Sequence, residues 1–165
     1  MPPAYYASVT IHVLAAMTWL GGMFFFALVG APVLRRIEPA SLRQQLFTDL
    51  GTRFRSVGWL AIAVLVLTGL LNLHFRGVLH WSGALGEAAF WRTGFGHALG
   101  AKLFAVVAMI AVSFVHDLWL GPAAGRAAPG SRAALALRRR AALLARVNAA
   151  AGVVVVAAAV RLARG

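Results

Sequence analysis

The stretch that decides the fold is Gly96-His97-Ala98-Leu99-Gly100-Ala101-Lys102-Leu103-Phe104-Ala105-Val106-Val107-Ala108-Met109-Ile110-Ala111-Val112-Ser113-Phe114-Val115-His116-Asp117-Leu118-Trp119-Leu120-Gly121. It is apolar enough, and at more than about 20 residues long enough, to cross a bilayer as a helix. Yet it carries Lys102, His116 and Asp117, and ionisable groups in hydrocarbon cost several kcal/mol unless partnered. At about 100° per residue, Lys102, Val106, Met109, Ser113 and His116 share one side of that helix. This stripe is expected to face protein, and the opposite side, Leu103, Val107, Ile110 and Phe114, to face lipid. The alternative is that Lys102 snorkels to one interface and His116 to the other.

The rest of the chain is of the same kind. Hydrophobic residues make up 61% of its 165 positions and mean hydropathy is +0.81, which is too apolar for a soluble domain. Segments near Tyr6 to Leu34, Val57 to Phe75, His97 to Leu120 and Ala141 to Val160 are each long enough to span. Their apolar runs are continuous rather than alternating, so a single all-α domain over residues 1–165, a four-helix transmembrane bundle, is expected.

A formal charge of +12 would point to nucleic acid in a soluble protein. Here it lies beside apolar segments and reads as a topology signal, with no nucleic-acid partner. Arg35, Arg36, Arg43, Arg53 and Arg55 follow the first span, and Arg126, Arg132, Arg138, Arg139 and Arg140 precede the fourth. The loop between the second and third spans has only Arg76 and Arg92. The positive-inside rule therefore places the Arg-rich loops in the cytoplasm and both termini outside, in a bacterial-type inner membrane. Arg161 and Arg164 pull mildly the other way. The absence of Cys excludes disulfides, Cys-ligated metal sites and thiolate nucleophiles. The N-terminus does not read as a cleavable signal, because no basic segment precedes its long apolar run.

In the first span His12, Ala16, Trp19, Met23 and Phe26 share a side, with His12 about one and a half turns below the outer surface. The adjacent Gly21 and Gly22 offer close approach to a neighbouring helix or a flat ligand. Pro32 marks the exit from the span, and a short amphipathic helix capped at Ser41 is expected to lie on the cytoplasmic surface. The second span has a small-and-polar seam of Gly58, Ala61, Leu65, Thr68 and Asn72; His74 lies about 200° from Asn72, which weakens it as a ligand. The loop from Gly77 to Gly96 reads as an interfacial aromatic belt with Trp81, Phe90, Trp91 and Phe95, and with His80 and Glu87 solvated. Gly121-Pro122 is expected to stop the third span. In the fourth, Arg146 is expected to pair with Asp117, the only acidic group within a span.

Several of these stretches together resemble the CopD-like (copper resistance protein D) family and its distant relative, the HemJ type of protoporphyrinogen oxidase. Ile11-His12 through Trp19-Leu20-Gly21-Gly22 is similar to that family's opening helix, and Arg53-Phe54-Arg55-Ser56-Val57-Gly58-Trp59 with Leu67-Thr68-Gly69-Leu70-Leu71-Asn72 to its entry and Thr-Gly signature. Gly96 through Lys102-Leu103-Phe104 resembles its Gly-x-x-Leu-x-x-Lys-Leu pattern, and His116 the His downstream of that lysine in HemJ-type sequences. Arg146-Val147-Asn148 is like the start of its last helix. The resemblance implies copper uptake or, on the HemJ side, haem b and porphyrinogen oxidation. The chain departs from the family in having only a four-helix unit and few Met and His.

Three functions follow as expectations. The first is a haem b-binding redox protein, an oxidoreductase if an enzyme, with His12 as first axial ligand, His97 as second, and Arg76, Arg92 or Lys102 on the propionates. A quinone, a porphyrin or a membrane electron-transfer protein would be its partner. The second is copper handling by His12 and His97 with Met17, Met23 and Met109, of which only Met23 and Met109 are expected to point inward. The third is a structural accessory subunit of a membrane complex. His116, Asp117 and Arg146 make a second candidate site, about 21 Å of helix from Lys102. Partners beyond the lipid bilayer, including a second copy in a homo-oligomer, stay open. For the topology the expected outcome is that a reporter fused after Gly165 is active only outside the cytoplasm; cytoplasmic activity refutes it.

Overall fold

The computed structural model describes residues 1–79 and 84–164, residues 84 and 161–164 by their backbone alone. The readings of His80 and Trp81 fall outside the described residues. Four helices are long and apolar enough to cross a membrane, and the described residues contain no strand. We label them α1 (Pro3–Leu34), α2 (Ala40–Phe75), α3 (Gly94–Arg126) and α4 (Arg132–Arg164). α1 packs along α2 and α3 along α4; the two hairpins meet where α1 touches α4 and where α2 touches the last turns of α3.

Two prolines expected to end helices are instead accommodated within them. Pro32 and Pro122 are each preceded by a π turn, Phe26–Gly30 in α1 and His116–Leu120 in α3, after which the helix runs on. Proline clashes with the carbonyl of residue i−4, and widening the preceding turn relieves that clash without breaking the helix. Ala31 and Gly121 accordingly donate to the carbonyls of Phe26 and His116, five residues back.

The expected surface helix and second span are one 36-residue helix, Ala40–Phe75. Nothing between Leu50 and Val57 breaks a helix strongly enough to separate them, and at about 1.5 Å per residue the result outreaches a hydrocarbon core by many ångströms. Ser41 lies inside the helix instead of capping it; Pro39 holds the cap position. One side of the projecting turns packs against protein, while Leu42 and Leu50 stay exposed. Buried Gln44 donates to the carbonyls of Gly125 and Ala127 and accepts from Arg138, whose guanidinium sits 5.0 Å above the Phe47 ring.

The sides read from periodicity agree with the packing. Leu103, Val107 and Phe114 are exposed, as a lipid face requires, while Met23 and Met109 are buried and Met17 is 65% exposed. Thr93 caps α3 by accepting from the Gly96 amide, and the Trp91 indole donates to the Leu85 carbonyl in the loop before it.

Of the two adjacent glycines in α1, only Gly22 makes a close approach: a Cβ there would run into the Phe54 ring of α2, whereas one at Gly21 would meet nothing within 4 Å. Gly22→Ala is expected to lower unfolding stability in detergent by about 1–3 kcal/mol through overpacking. Gly21→Ala is expected to be neutral or to add up to about 1 kcal/mol of helix propensity. Equal effects in a denaturant titration would contradict this packing.

Candidate functional site

The inward-facing polar groups form three clusters along the bundle. At the end bearing the N-terminus, His12 Nδ1 lies 2.8 Å from Thr68 Oγ1 of α2. The Thr68 hydroxyl has one proton, and it donates that proton to the Val64 carbonyl at 2.6 Å. With that proton on the Val64 carbonyl, the matching tautomer of His12 carries its proton on Nδ1 and donates to Thr68, leaving the lone pair on Nε2. A hydrogen bond on one ring nitrogen that fixes the tautomer is the arrangement that orients a ligating imidazole. A Cβ at Gly69 would stand 3.5 Å from His12 Cε1, so the ring rests against the α2 backbone. Lys102 of α3 is close enough for its charge to bear on the His12 ring, and Arg76, which donates to Tyr5 Oη, acts in turn on Lys102. The Asn72 amide oxygen, one turn beyond Thr68, is buried without a partner.

His97 does not join this cluster. It is exposed and its Nδ1 is 3.0 Å from the carbonyl of Thr93 in its own helix. The reason is helical phase: buried Leu99 is two residues on, about 200° around α3, so His97 points away from the bundle. Arg92 is likewise exposed. A haem b held between His12 and His97 therefore does not fit these residues; of the expected set, His12, Lys102 and Arg76 remain together.

The second cluster lies at the centre. Asn148 of α4, 4% exposed, donates to Ser113 Oγ of α3 at 2.9 Å and reaches Met23 Sδ of α1 at 3.9 Å. One turn further along α4, a Cβ at Gly152 would meet Leu20 and, at 3.2 Å, the Met109 methyl. The Met23 sulfur and the Met109 methyl thus lie along one stripe of α4, and the Asn148 amide oxygen is buried with no partner. Reading Asn148 only as part of a family-like motif missed its place in this centre; an Asn in an Ala/Val helix, in phase with Gly152, was the available signal.

The third cluster is at the arginine-rich end, where His116 Nδ1 pairs with Asp117 Oδ1 at 2.7 Å and Arg55 donates to the Asp117 carbonyl at 3.0 Å. The expected pair of Arg146 with Asp117 is not formed. Arg146 is exposed, about 200° from buried Asn148 around α4, and the π turn has given Asp117 a neighbour on its own helix. Among the described residues no group of three or more His, Asp or Glu is assembled.

Four apolar helices enclosing imidazole, hydroxyl, amide and thioether groups define a multi-pass helical membrane protein with a polar interior. The chain belongs to the copper resistance protein D family, whose model matches residues 49–162. The match holds Thr68, Lys102, Met109, His116 and Asn148, while His12 and Met23 on α1 precede it. The chain is also 31% identical over 112 residues to an uncharacterized protein of Aquifex aeolicus (strain VF5), an alignment covering 67% of this chain and 66% of that one. It therefore spans just under two thirds of that relative's length. No solved structure matches. These comparisons carry the CopD side of the resemblance and not the HemJ side.

Arg146→Leu is expected to change unfolding stability by no more than about 0.5 kcal/mol. Asp117→Asn, which weakens the His116 pair, is expected to cost about 1–2 kcal/mol. A double variant whose effects are far from additive would restore the Arg146 pair.

Proposed function

We propose that this copper-resistance-family protein handles copper as cargo inside the membrane, at the centre between Met23, Met109 and Asn148. The observation that carries the reading is that centre: the Met23 sulfur on the Asn148 amide nitrogen, the Met109 methyl against Gly152 one turn along, and a buried Asn148 amide oxygen that no protein donor fills. Thioethers select the soft cuprous ion, and the absence of a carboxylate suits its single charge. Ligands of this weakness hold an ion loosely enough for it to leave again, which transit requires.

A second reading is favoured by one observation, the charge around His12. Lys102, with Arg76 beyond it, opposes a bare cation at His12 but suits an anionic group carrying carboxylates. Haem b with His12 as its one imidazole ligand, and Lys102 and Arg76 on the propionates, answers that description. Bound there, haem would supply one-electron chemistry, and a quinone or porphyrin partner belongs to this reading alone.

One purification separates the two. Cuprous affinity, measured against a chromophoric chelator, is expected to fall at least about tenfold, or about 1.4 kcal/mol, in the Met23→Leu/Met109→Leu variant. His12→Ala is expected to leave it within about twofold. Unchanged affinity in the double Met variant overturns the copper centre, and a Soret band lost in His12→Ala establishes the haem reading in its place.

A further inference from the structure

At the arginine-rich end a cleft of about 400 Å³ opens between α2 and the last turns of α3, lined by Thr48, Thr52, Arg55, His116, Gly125 and Arg126 among others. We infer that this cleft binds a phosphate-bearing anion, the headgroup of an anionic lipid or free phosphate.

The inference starts from helix phase. Thr48, Thr52 and Arg55 stand at i, i+4 and i+7 of α2, so two hydroxyls and a guanidinium line one wall. The opposite wall owes its shape to the π turn and to Gly121, Pro122 and Gly125, whose small size leaves the volume open. At its floor a Cβ on Gly125 would lie 3.4 Å from Thr48 Oγ1. The two walls are held at a set spacing by Gln44, which hydrogen-bonds the carbonyls of Gly125 and Ala127. The cleft is thus preformed.

Charge then decides the occupant. Arg55 commits an N–H to the Asp117 carbonyl, which fixes its guanidinium in the wall with the rest of its fork to spare. Arg126 has no protein acceptor among the described residues. The one carboxylate on the lining, Asp117, is already engaged by His116. Of the other acidic residues, Glu38 pairs with Arg43 while Asp49 and Glu87 are off the lining. Two guanidinium groups facing a shared space without a free carboxylate call for a multivalent oxyanion, and the planar fork matches phosphate oxygens two at a time. Depth agrees. Arg55 stands two residues before Val57, where the apolar run of α2 begins, so the cleft lies at the level of the headgroups.

The test uses the full chain, reconstituted in nanodiscs of phosphatidylcholine with and without phosphatidylglycerol, and separately in neutral detergent with inorganic phosphate. Bound phosphatidylglycerol, counted by native mass spectrometry, is expected to bind about tenfold more weakly to Arg126→Gln than to the parent, the worth of one charge-assisted hydrogen bond. Arg139→Gln and Arg140→Gln, exposed cations off the cleft, are expected to keep parental binding and so serve as controls. Arg126→Gln leaves every hydrogen bond described above in place, so its folding is not at issue. If lipid binding is indifferent to Arg126 but inorganic phosphate protects the parent and not Arg126→Gln against thermal unfolding, the anion is free phosphate. If neither ligand distinguishes Arg126→Gln from the parent, or the control variants lose as much, the inference is wrong.

Discussion

Asn148 ties three of the four helices together with one side chain. Its amide donates to Ser113 on α3 and to the Met23 sulfur on α1 from a position on α4 that is all but sealed from outside. In hydrocarbon, apolar side chains gain nothing by leaving lipid for protein, so helix association rests on close packing and on polar groups that must find one another. The surroundings of Asn148 follow that rule. Its neighbours on α4, Ala149 and Gly152, are small, and the large side chains near it are Leu20 and the two flexible methionines. A similar economy holds at the His12 end, where Thr68 satisfies the imidazole and its own helix with a single hydroxyl. Both centres keep an unfilled acceptor, on Asn148 and on Asn72, and the proposed cargo site is built around the first of them.

The spans were legible because hydropathy is a sum over many residues, and no local irregularity near Pro32 or Pro122 alters it. Helix faces were legible for the same reason wherever the helix is regular: His12, Met23 and Met109 turn inward and Phe114 outward, as their phases require. What periodicity could not supply was which groups meet across helices. Charge and depth point Asp117 to Arg146, yet depth ignores rotation, and the carboxylate pairs with His116 one residue away. Depth likewise puts His97 beside His12, and the same rotation turns it away. The reach of α2 was hidden for another reason. A charged amphipathic stretch followed by an apolar one looks like two environments, and only the bonds of Gln44 reveal that protein covers one side of the first.

The three clusters are separated along the bundle rather than joined. His12 and Met23 are eleven residues apart on α1, about 16 Å of helix axis. The His12 end is cationic, the centre is neutral and soft, and the arginine-rich end is cationic again. The proposed ligands divide the same way by place, an anion at a cationic rim and a low-charge soft ion at the waist. The family match spans α3 and α4 and most of α2 but begins after α1, so the rim imidazole and one of the two thioethers are contributed by the helix outside the matched stretch.

The π turns have a consequence for comparing this chain with its relatives. Each packs one residue more into a turn than an α-helix does, so every residue beyond it is rotated by about 100° from where an uninterrupted count would put it. Gly125 and Arg126, which line the cleft, follow one of these turns. A homologue lacking the proline needs one residue fewer to present the same wall. A single-residue gap opposite His116–Leu120 or Phe26–Gly30 in an alignment would then mark the change from a widened turn to a regular one, with the surfaces on either side unchanged.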